Sequence, residues 1–215
     1  MIPAWIAGQR TTNMRVSRHY SDHHIKEDNL ETRVAVYEDQ IRGWFHDPAR
    51  ILQKASDHAG FVLLLIAVNY VESYAIFRRG EDSNRQSRDF FLDAFKEIFF
   101  SEAEDSRILD DAIDEFYDQV RCGLFHAGIT RGKVVLTELP RAVDIEVNNQ
   151  TGKVVRIKID PHKLLDEVED HFSSYVMRLR DPNEAELRKN FDKAWNLTRV
   201  KDCCKEGAAK RRVRL

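Results

Sequence analysis

Apolar residues recur at steps of three and four along most of this chain, and that spacing predicts amphipathic helices. The first predicted helix spans residues 31–55, with a break near the Asp47-Pro48 pair because proline lacks the backbone N–H that continues a helix. Its apolar face consists of Val34, Tyr37, Ile41 and Phe45. Residues 61–80 begin with apolar side chains on nearly every side, so we expect a central core helix that ends at Gly80.

Further helices are predicted by the same spacing and by their end signals. Residues 87–99 carry a stripe of phenylalanines on one side. Residues 105–127 are apolar on one side and acidic on the other, and Gly128 ends that helix. Asp160 and Asp181 are each followed by a proline, a pair that suits an N-cap and a first helical turn, so a helix is expected after each.

Between residues 133 and 159 the apolar period changes to two, which is typical of β-strands. The alternating apolar residues are Val143, Ile145 and Val147 before an NNQTG turn, and Val155, Ile157 and Ile159 after it. This pattern predicts an antiparallel hairpin, to which residues 133–138 could add a third strand. The expected fold is mainly α: a helical bundle with an inserted small antiparallel β-hairpin or three-stranded sheet.

The length of 215 residues suits one well-buried core, and the low counts of 9 glycines and 5 prolines favour long helices. We therefore predict a single helical domain over residues 30–200, with the β insertion at 133–159. Residues 1–29 are polar and aperiodic, which predicts an irregular N-terminal segment. Residues 201–215 form a basic tail, either a solvated end or an electrostatic contact with nucleic acid.

The charge and the cysteines of the chain bear on its binding partners and on its cellular compartment. A formal net charge of −2 gives no global attraction to a polyanion, so nucleic-acid binding would require a local basic surface. The 3 cysteines have no spacing typical of zinc, which favours a reducing cytoplasm. The N-terminus lacks a signal-peptide pattern, and the longest apolar run, residues 61–68, is too short to cross a bilayer. We expect a soluble cytoplasmic protein with no membrane partner, metal or cofactor.

Residues 121–126 (RCGLFH) are the strongest candidate for chemistry, because they place Arg121 and His126 at the end of a predicted helix. The bare spacing arises by chance in a chain with many arginines and histidines, and Arg18 and His23 also show it. That second pair lies in the aperiodic segment, so only the first can be held rigidly.

The two candidate side chains differ by about 140° around an ideal helix, so the helix must deform to bring them to one cleft. Gly123 and Gly128 could allow that deformation. Phe125 points away from the core stripe of this helix, so the hairpin or a second copy of the chain is expected to cover it. A symmetric contact there would bring two copies of residues 121–126 together.

Five further residues could support this site. Asp114 or Asp118 could hold the guanidinium from one or two turns earlier in the helix. Tyr117 is another candidate, although its position on the apolar face also fits core packing. Glu72, in the core helix, either pairs with a nearby arginine at the edge of the core or supports the site. Cys122 could be an activated thiol, but no oxyanion site accompanies it.

These residues suit RNA cleavage without a metal. One histidine could take the proton of a 2′-hydroxyl while another protonates the leaving oxygen, and Arg121 would stabilise the charge on phosphorus. In the alternative interpretation, Arg121 pairs only with Asp114 or Asp118 on a solvated helix face. His126 then caps carbonyl groups at the C-terminal end of the helix.

The segment FYDQVRCGLFHAG resembles the R-x4-6-H motif of HEPN-domain proteins, a superfamily of helical bundles that includes many metal-independent endoribonucleases of toxin and antiviral systems. The resemblance extends loosely over residues 60–128 and the helix after the hairpin. It implies that Arg121 and His126 are catalytic, that the chain forms a homodimer acting on RNA, and that a protein partner could neutralise it. Active members usually have Asn, Asp or His after the arginine, whereas this chain has Cys122. That difference favours an alternative, a HEPN-like module that binds RNA, a nucleotide or a protein without catalysis.

Overall fold

A computed structural model of the chain describes residues 15–21, 29–100, 106–148 and 150–198. It is mainly helical with a small three-stranded mixed sheet, which confirms the predicted fold class at that level. The helices are α1 (Leu30–Ile41), α2 (Asp47–Ala55), α3 (Gly60–Arg79), α4 (Ser87–Phe99), α5 (Ser106–Phe116), α6 (Cys122–Ala127), α7 (Pro161–Arg180) and α8 (Ala185–Thr198). The strands are β1 (Val134–Leu136), β2 (Val143–Val147) and β3 (Val154–Ile159). The predicted basic tail, residues 201–215, lies outside the described residues.

The predicted helix break at Asp47-Pro48 is wrong. A π turn, Arg42–His46, joins α1 to α2 without interruption, and the Asp47 N–H bonds to the carbonyl of Arg42. Pro48 then lies in the first turn of α2, a position at which helices tolerate a missing N–H. The wider turn before the proline therefore lets the helical path continue.

A second π turn, Tyr117–Arg121, divides the helix predicted over residues 105–127 into α5 and α6. The Cys122 N–H bonds to the carbonyl of Tyr117 in this turn. Gly128 has a φ of +73°, the left-handed conformation that glycine adopts readily, and it ends α6 as predicted. Single π turns inside helices are frequent at functional sites, and this one contains the candidate residues Tyr117, Asp118 and Arg121.

The strands lie in the order β1-β3-β2, with β2 antiparallel to β3, as the hairpin predicts, and β1 parallel to β3. The predicted alternation fails at the start of β3, where Val154 is buried and Val155 is 53% exposed. The register shifts between Glu146 and Val147, and a bulge at that point changes which residues face the core. Asp160 caps the N-terminus of α7, as its sequence predicts.

Helix α3 lies at the centre of the bundle and packs against α4, α7 and α8. Its buried side chains are Leu63, Leu64, Ala67, Val68, Tyr70, Val71, Tyr74, Ala75 and Phe77. Phe61, Val62 and Leu65 remain exposed on one side of its first half. By length and composition this helix could cross a membrane, and half of its most apolar window is buried in the fold.

Two histidines lie among the core aromatic rings, His46 buried and His171 half-buried. His46 of the first π turn is 3% exposed, and its ring centre lies 5.3 Å from that of Phe172. His171 of α7 has its Nδ1 2.8 Å from the Tyr70 hydroxyl. Burial lowers the pKa of each histidine to about 4. Both imidazoles are therefore neutral at physiological pH.

We expect the free energy of unfolding to decrease as the pH falls from 6.5 towards 4. An unfolded histidine has a pKa near 6.5. Between pH 6.5 and 4 the unfolded chain therefore binds protons that the two imidazoles of the folded protein do not bind. Above the unfolded pKa the free energy of unfolding has its full value. Protonation of the unfolded chain below that pKa lowers it by about 3 kcal/mol or less for each histidine. Urea denaturation at several pH values should show a shallower decrease for His46→Phe than for the wild type. An equal decrease in both proteins would contradict the assignment to His46.

Candidate functional site

The π turn and the loop after α6 set the position of Arg121. The carbonyl of Gln119, inside the turn, accepts the backbone N–H of Arg131 at 2.9 Å, so the loop folds back against the helix. Gly123 permits this approach, because a Cβ there would lie 2.7 Å from the carbonyl oxygen of Ile129. The helix is therefore deformed at the π turn, and Gly123 provides space for the loop rather than the predicted deformation.

Arg121 forms an ion pair with Glu72 of α3. Its Nη2 lies 2.7 Å from Glu72 Oε2, and the two side chains are only 17% and 18% exposed. The other Glu72 oxygen accepts a hydrogen bond from Ser83 Oγ at 3.0 Å. Burial acts to lower the pKa of Arg121, but the hydrogen bond and charge of Glu72 outweigh it and raise that pKa above its ordinary value. Glu72 thus holds a permanent cation in a defined orientation.

Two aromatic rings flank the guanidinium of Arg121. Its central carbon lies 4.6 Å from the centre of the Phe125 ring and 5.6 Å from that of the Tyr117 ring. Tyr117 is 8% exposed and packs in the core, the alternative that its apolar position predicts, and its hydroxyl lies 3.1 Å from Ser87 Oγ. Phe125 is 45% exposed, so solvent reaches the ring that contacts the cation.

His126 lies on α6 with its side chain exposed to solvent. It forms no hydrogen bond, ion pair or ring contact with any residue that the structure describes, Arg121 included. The alternative in which His126 caps the helix end is therefore not observed, and the Leu124 carbonyl accepts the Gly128 N–H instead. An unbonded imidazole at the surface is available to exchange protons with a bound ligand.

The prediction that Asp114 or Asp118 holds Arg121 is wrong. Asp114 instead accepts a hydrogen bond from Arg88 Nε of α4 at 2.6 Å, and Asp118 makes no contact with the guanidinium. The additional residue in the π turn changes the direction of Arg121 relative to the acidic side of α5. Glu72, the acid predicted to pair with a nearby arginine or to support the site, is the partner. Nothing in the sequence indicates that Arg88 is the partner of Asp114.

Cys122 is half-buried and packs against the core. Within residues 15–21, 29–100, 106–148 and 150–198, no cluster of His, Cys, Asp and Glu side chains is arranged to hold a metal ion. Comparisons with protein-family models, with curated proteins and with solved structures find no match to this chain. The geometry of the site is therefore the basis for assigning a function.

Removal of the Glu72 carboxylate is expected to destabilise the protein by about 1–3 kcal/mol, because Arg121 would stay largely buried without its ionic partner. Urea denaturation of Glu72→Gln measures the loss. Asp110→Asn is the matched control, since Asp110 pairs with Lys96 at 2.8 Å but is 62% exposed. That exposed pair should contribute about 1 kcal/mol or less. Equal losses in the two variants would show that the Arg121 pair has no special role in the fold.

Proposed function

We propose that this chain is a HEPN-like protein whose Arg121 and His126 cleave RNA without a metal. The observation that carries the proposal is the contrast between the two residues: Glu72 and Phe125 fix Arg121, whereas His126 is unbonded at the surface. A fixed cation suits a phosphate that gains charge, and an unbonded imidazole suits proton transfer. A cytoplasmic toxin or antiviral role, controlled by a neutralising protein partner, is part of the same proposal.

The reaction would be an internal transfer at phosphorus. His126 takes the proton of a 2′-hydroxyl, and the 2′-oxygen bonds to phosphorus while the bond to the 5′-oxygen breaks. The 5′-oxygen leaves with a proton from a second acid. The products are a 2′,3′-cyclic phosphate and a 5′-hydroxyl end. Arg121 stabilises the charge on the phosphate oxygens during this transfer.

A second copy of the chain is the proposed source of that second acid. One chain supplies a single His126, whereas the reaction uses one group to accept a proton and another to donate one. Phe125 and Ile129 lie close to His126 in the sequence and are 45% and 61% exposed. The hairpin therefore does not cover this apolar surface. A symmetric dimer through this surface would bring the two histidines to one cleft.

A non-catalytic module that binds RNA, a nucleotide or a protein is the second candidate. The Glu72 carboxylate, 2.7 Å from Arg121, offsets the charge that would act on a phosphate. Cys122 also occupies the position where active HEPN ribonucleases usually have Asn, Asp or His. Both features favour recruitment of a ligand over its cleavage.

The experiment that tests the proposal is incubation of the purified protein with RNA in EDTA. Single-stranded and structured RNAs of varied sequence are incubated with the wild type and with a parallel preparation of the Arg121→Ala, His126→Ala double variant, which controls for contaminating nucleases. The proposal predicts fragments from the wild type alone. Gel retardation of RNA without fragments would support the non-catalytic candidate. Fragments of equal amount from both preparations would contradict cleavage at this site.

A further inference from the structure

A second cleft lies among residues 15–21, α1, the first π turn and the end of α7. Its volume is about 380 Å³, within the range of pockets that hold small ligands. Four basic side chains line it, namely Arg18, His19, Arg42 and Arg180. None of its lining residues belongs to the Arg121 site.

Asp39 organises one side of this cleft. One of its carboxylate oxygens lies 2.5 Å from His19 Nδ1, and the other accepts hydrogen bonds from the His19 backbone N–H at 2.8 Å and from Ser17 Oγ at 2.5 Å. Burial acts to raise the pKa of Asp39, but these hydrogen bonds lower it below its ordinary value. The His19 side chain is nevertheless 67% exposed, and its second ring nitrogen has no partner among the described residues.

The arginines of the cleft are positioned by carboxylates but keep unused donors. Arg42 Nε donates to Glu38 at 2.9 Å, and Arg180 Nη2 donates to the other oxygen of Glu38 at 2.5 Å. Arg18 Nη1 donates to Asp47 at 3.0 Å. A guanidinium has five N–H groups. Most of those on Arg18 and Arg180 therefore have no partner in the described part of the chain.

Acidic and basic groups differ in depth within the cleft. Glu38 and Asp39 have side chains only 21% and 14% exposed. Arg18 and Arg180, by contrast, are 59% and 56% exposed. Asp47, the third acid of the lining, is 53% exposed. With His19 added, the groups that solvent reaches are mainly hydrogen-bond donors, so the cleft is better suited to an anion than to a cation.

We propose that this cleft binds the phosphate group of a phosphorylated ligand. Planar guanidinium groups donate paired N–H bonds to two phosphate oxygens, which suits Arg18 and Arg180, and His19 adds a further contact. The Arg18–Asp47 and Arg180–Glu38 pairs are partly exposed, so a phosphate competes with them at low cost. The phosphate belongs either to a free nucleotide or to RNA, since both present the same oxygens, and the cleft has room for an attached nucleoside.

Isothermal titration calorimetry with inorganic phosphate, AMP and adenosine tests this site. Inorganic phosphate is expected to bind and adenosine is not, and AMP is expected to bind if the phosphate belongs to a free nucleotide. Arg18→Gln and Arg180→Gln should each weaken AMP binding about tenfold, the scale of one charge-assisted contact. Arg178→Gln is the matched control, because Arg178 also lies in the last turn of α7 and pairs with Glu184, but it does not line the cleft. It should leave the affinity unchanged.

A short RNA oligonucleotide separates the two sources of phosphate. It is titrated into the Arg121→Ala, His126→Ala protein, so that binding is measured without cleavage. RNA binding that is weakened by Arg180→Gln but not by Arg178→Gln, with no binding of AMP, would place the phosphate in RNA. The proposal is overturned if no probe binds, or if Arg18→Gln and Arg180→Gln leave the affinity for every probe unchanged.

Discussion

Substitution of His126 with alanine is expected to lower the rate of RNA cleavage by about 10²–10⁴-fold, the range for loss of a general acid or base. The His126 side chain is exposed and bonded to no described residue, so its removal should leave the helical packing intact. In the proposed dimer the substitution removes both proton-transfer groups from the shared cleft. Single-turnover cleavage of a labelled RNA measures the rate, and circular dichroism checks the fold.

His58→Ala is the matched control for that experiment. His58 is also exposed, but it lies in the loop before α3 rather than beside Arg121. This variant should cleave RNA at the wild-type rate. If His126→Ala cleaves as fast as His58→Ala does, His126 is not a proton-transfer group and the proposed mechanism is wrong.

Gly123→Ala is expected to destabilise the protein by about 3 kcal/mol or more, although alanine normally favours a helix over glycine by about 1 kcal/mol. The new Cβ would lie 2.7 Å from the carbonyl oxygen of Ile129 and 3.2 Å from Thr130 Cα. Both are backbone atoms, and the Arg131–Gln119 hydrogen bond holds their loop against the helix, so neither can move without breaking that contact. Thermal and urea denaturation measure the loss.

Gly132→Ala is the control for this substitution. A Cβ at Gly132 would meet no atom within 4 Å, and its φ is not in the left-handed region. Its effect on the free energy of unfolding should therefore be within about 1 kcal/mol. A Gly123→Ala protein as stable as Gly132→Ala would show that the loop does not pack closely on the π turn.

The helices were predictable because each buries one apolar side, and steps of three and four in the sequence report that side directly. The two π turns were not. Such a turn adds one residue without requiring a particular residue type, and the apolar spacing of α5 continues across Tyr117–Arg121 despite it. For the same reason the bulge at Glu146 and Val147 was missed, and with it the burial of Val154.

The candidate site was predictable in part. A helix pattern identifies neighbours within that helix, which is why Asp114 and Asp118 were expected beside Arg121. The observed partner, Glu72, is 49 residues away and reaches Arg121 only because the fold brings this part of α3 near the π turn. Its position inside an apolar helix did indicate an ion pair, but not which arginine supplied it.

The phosphate-binding cleft could not be predicted from the sequence. Arg18, Arg42 and Arg180 come from three distant segments, and only the fold brings them to one opening. Residues 15–21 follow no period, and they are placed by hydrogen bonds to Asp39 together with the packing of Val16 and Tyr20 against the core. At a net charge of −2, nucleic-acid binding requires a local basic surface. This cleft is a candidate for such a surface.

The terminal groups of the RNA fragments test most directly the claim that Arg121 and His126 cut RNA by internal transfer. A defined oligonucleotide is cut in EDTA and its fragments are weighed by mass spectrometry. We predict 2′,3′-cyclic phosphate and 5′-hydroxyl ends, and no cut when the attacking 2′-hydroxyl is replaced by hydrogen. Fragments with 3′-hydroxyl and 5′-phosphate ends, or a cut at the 2′-deoxy position, would contradict this mechanism.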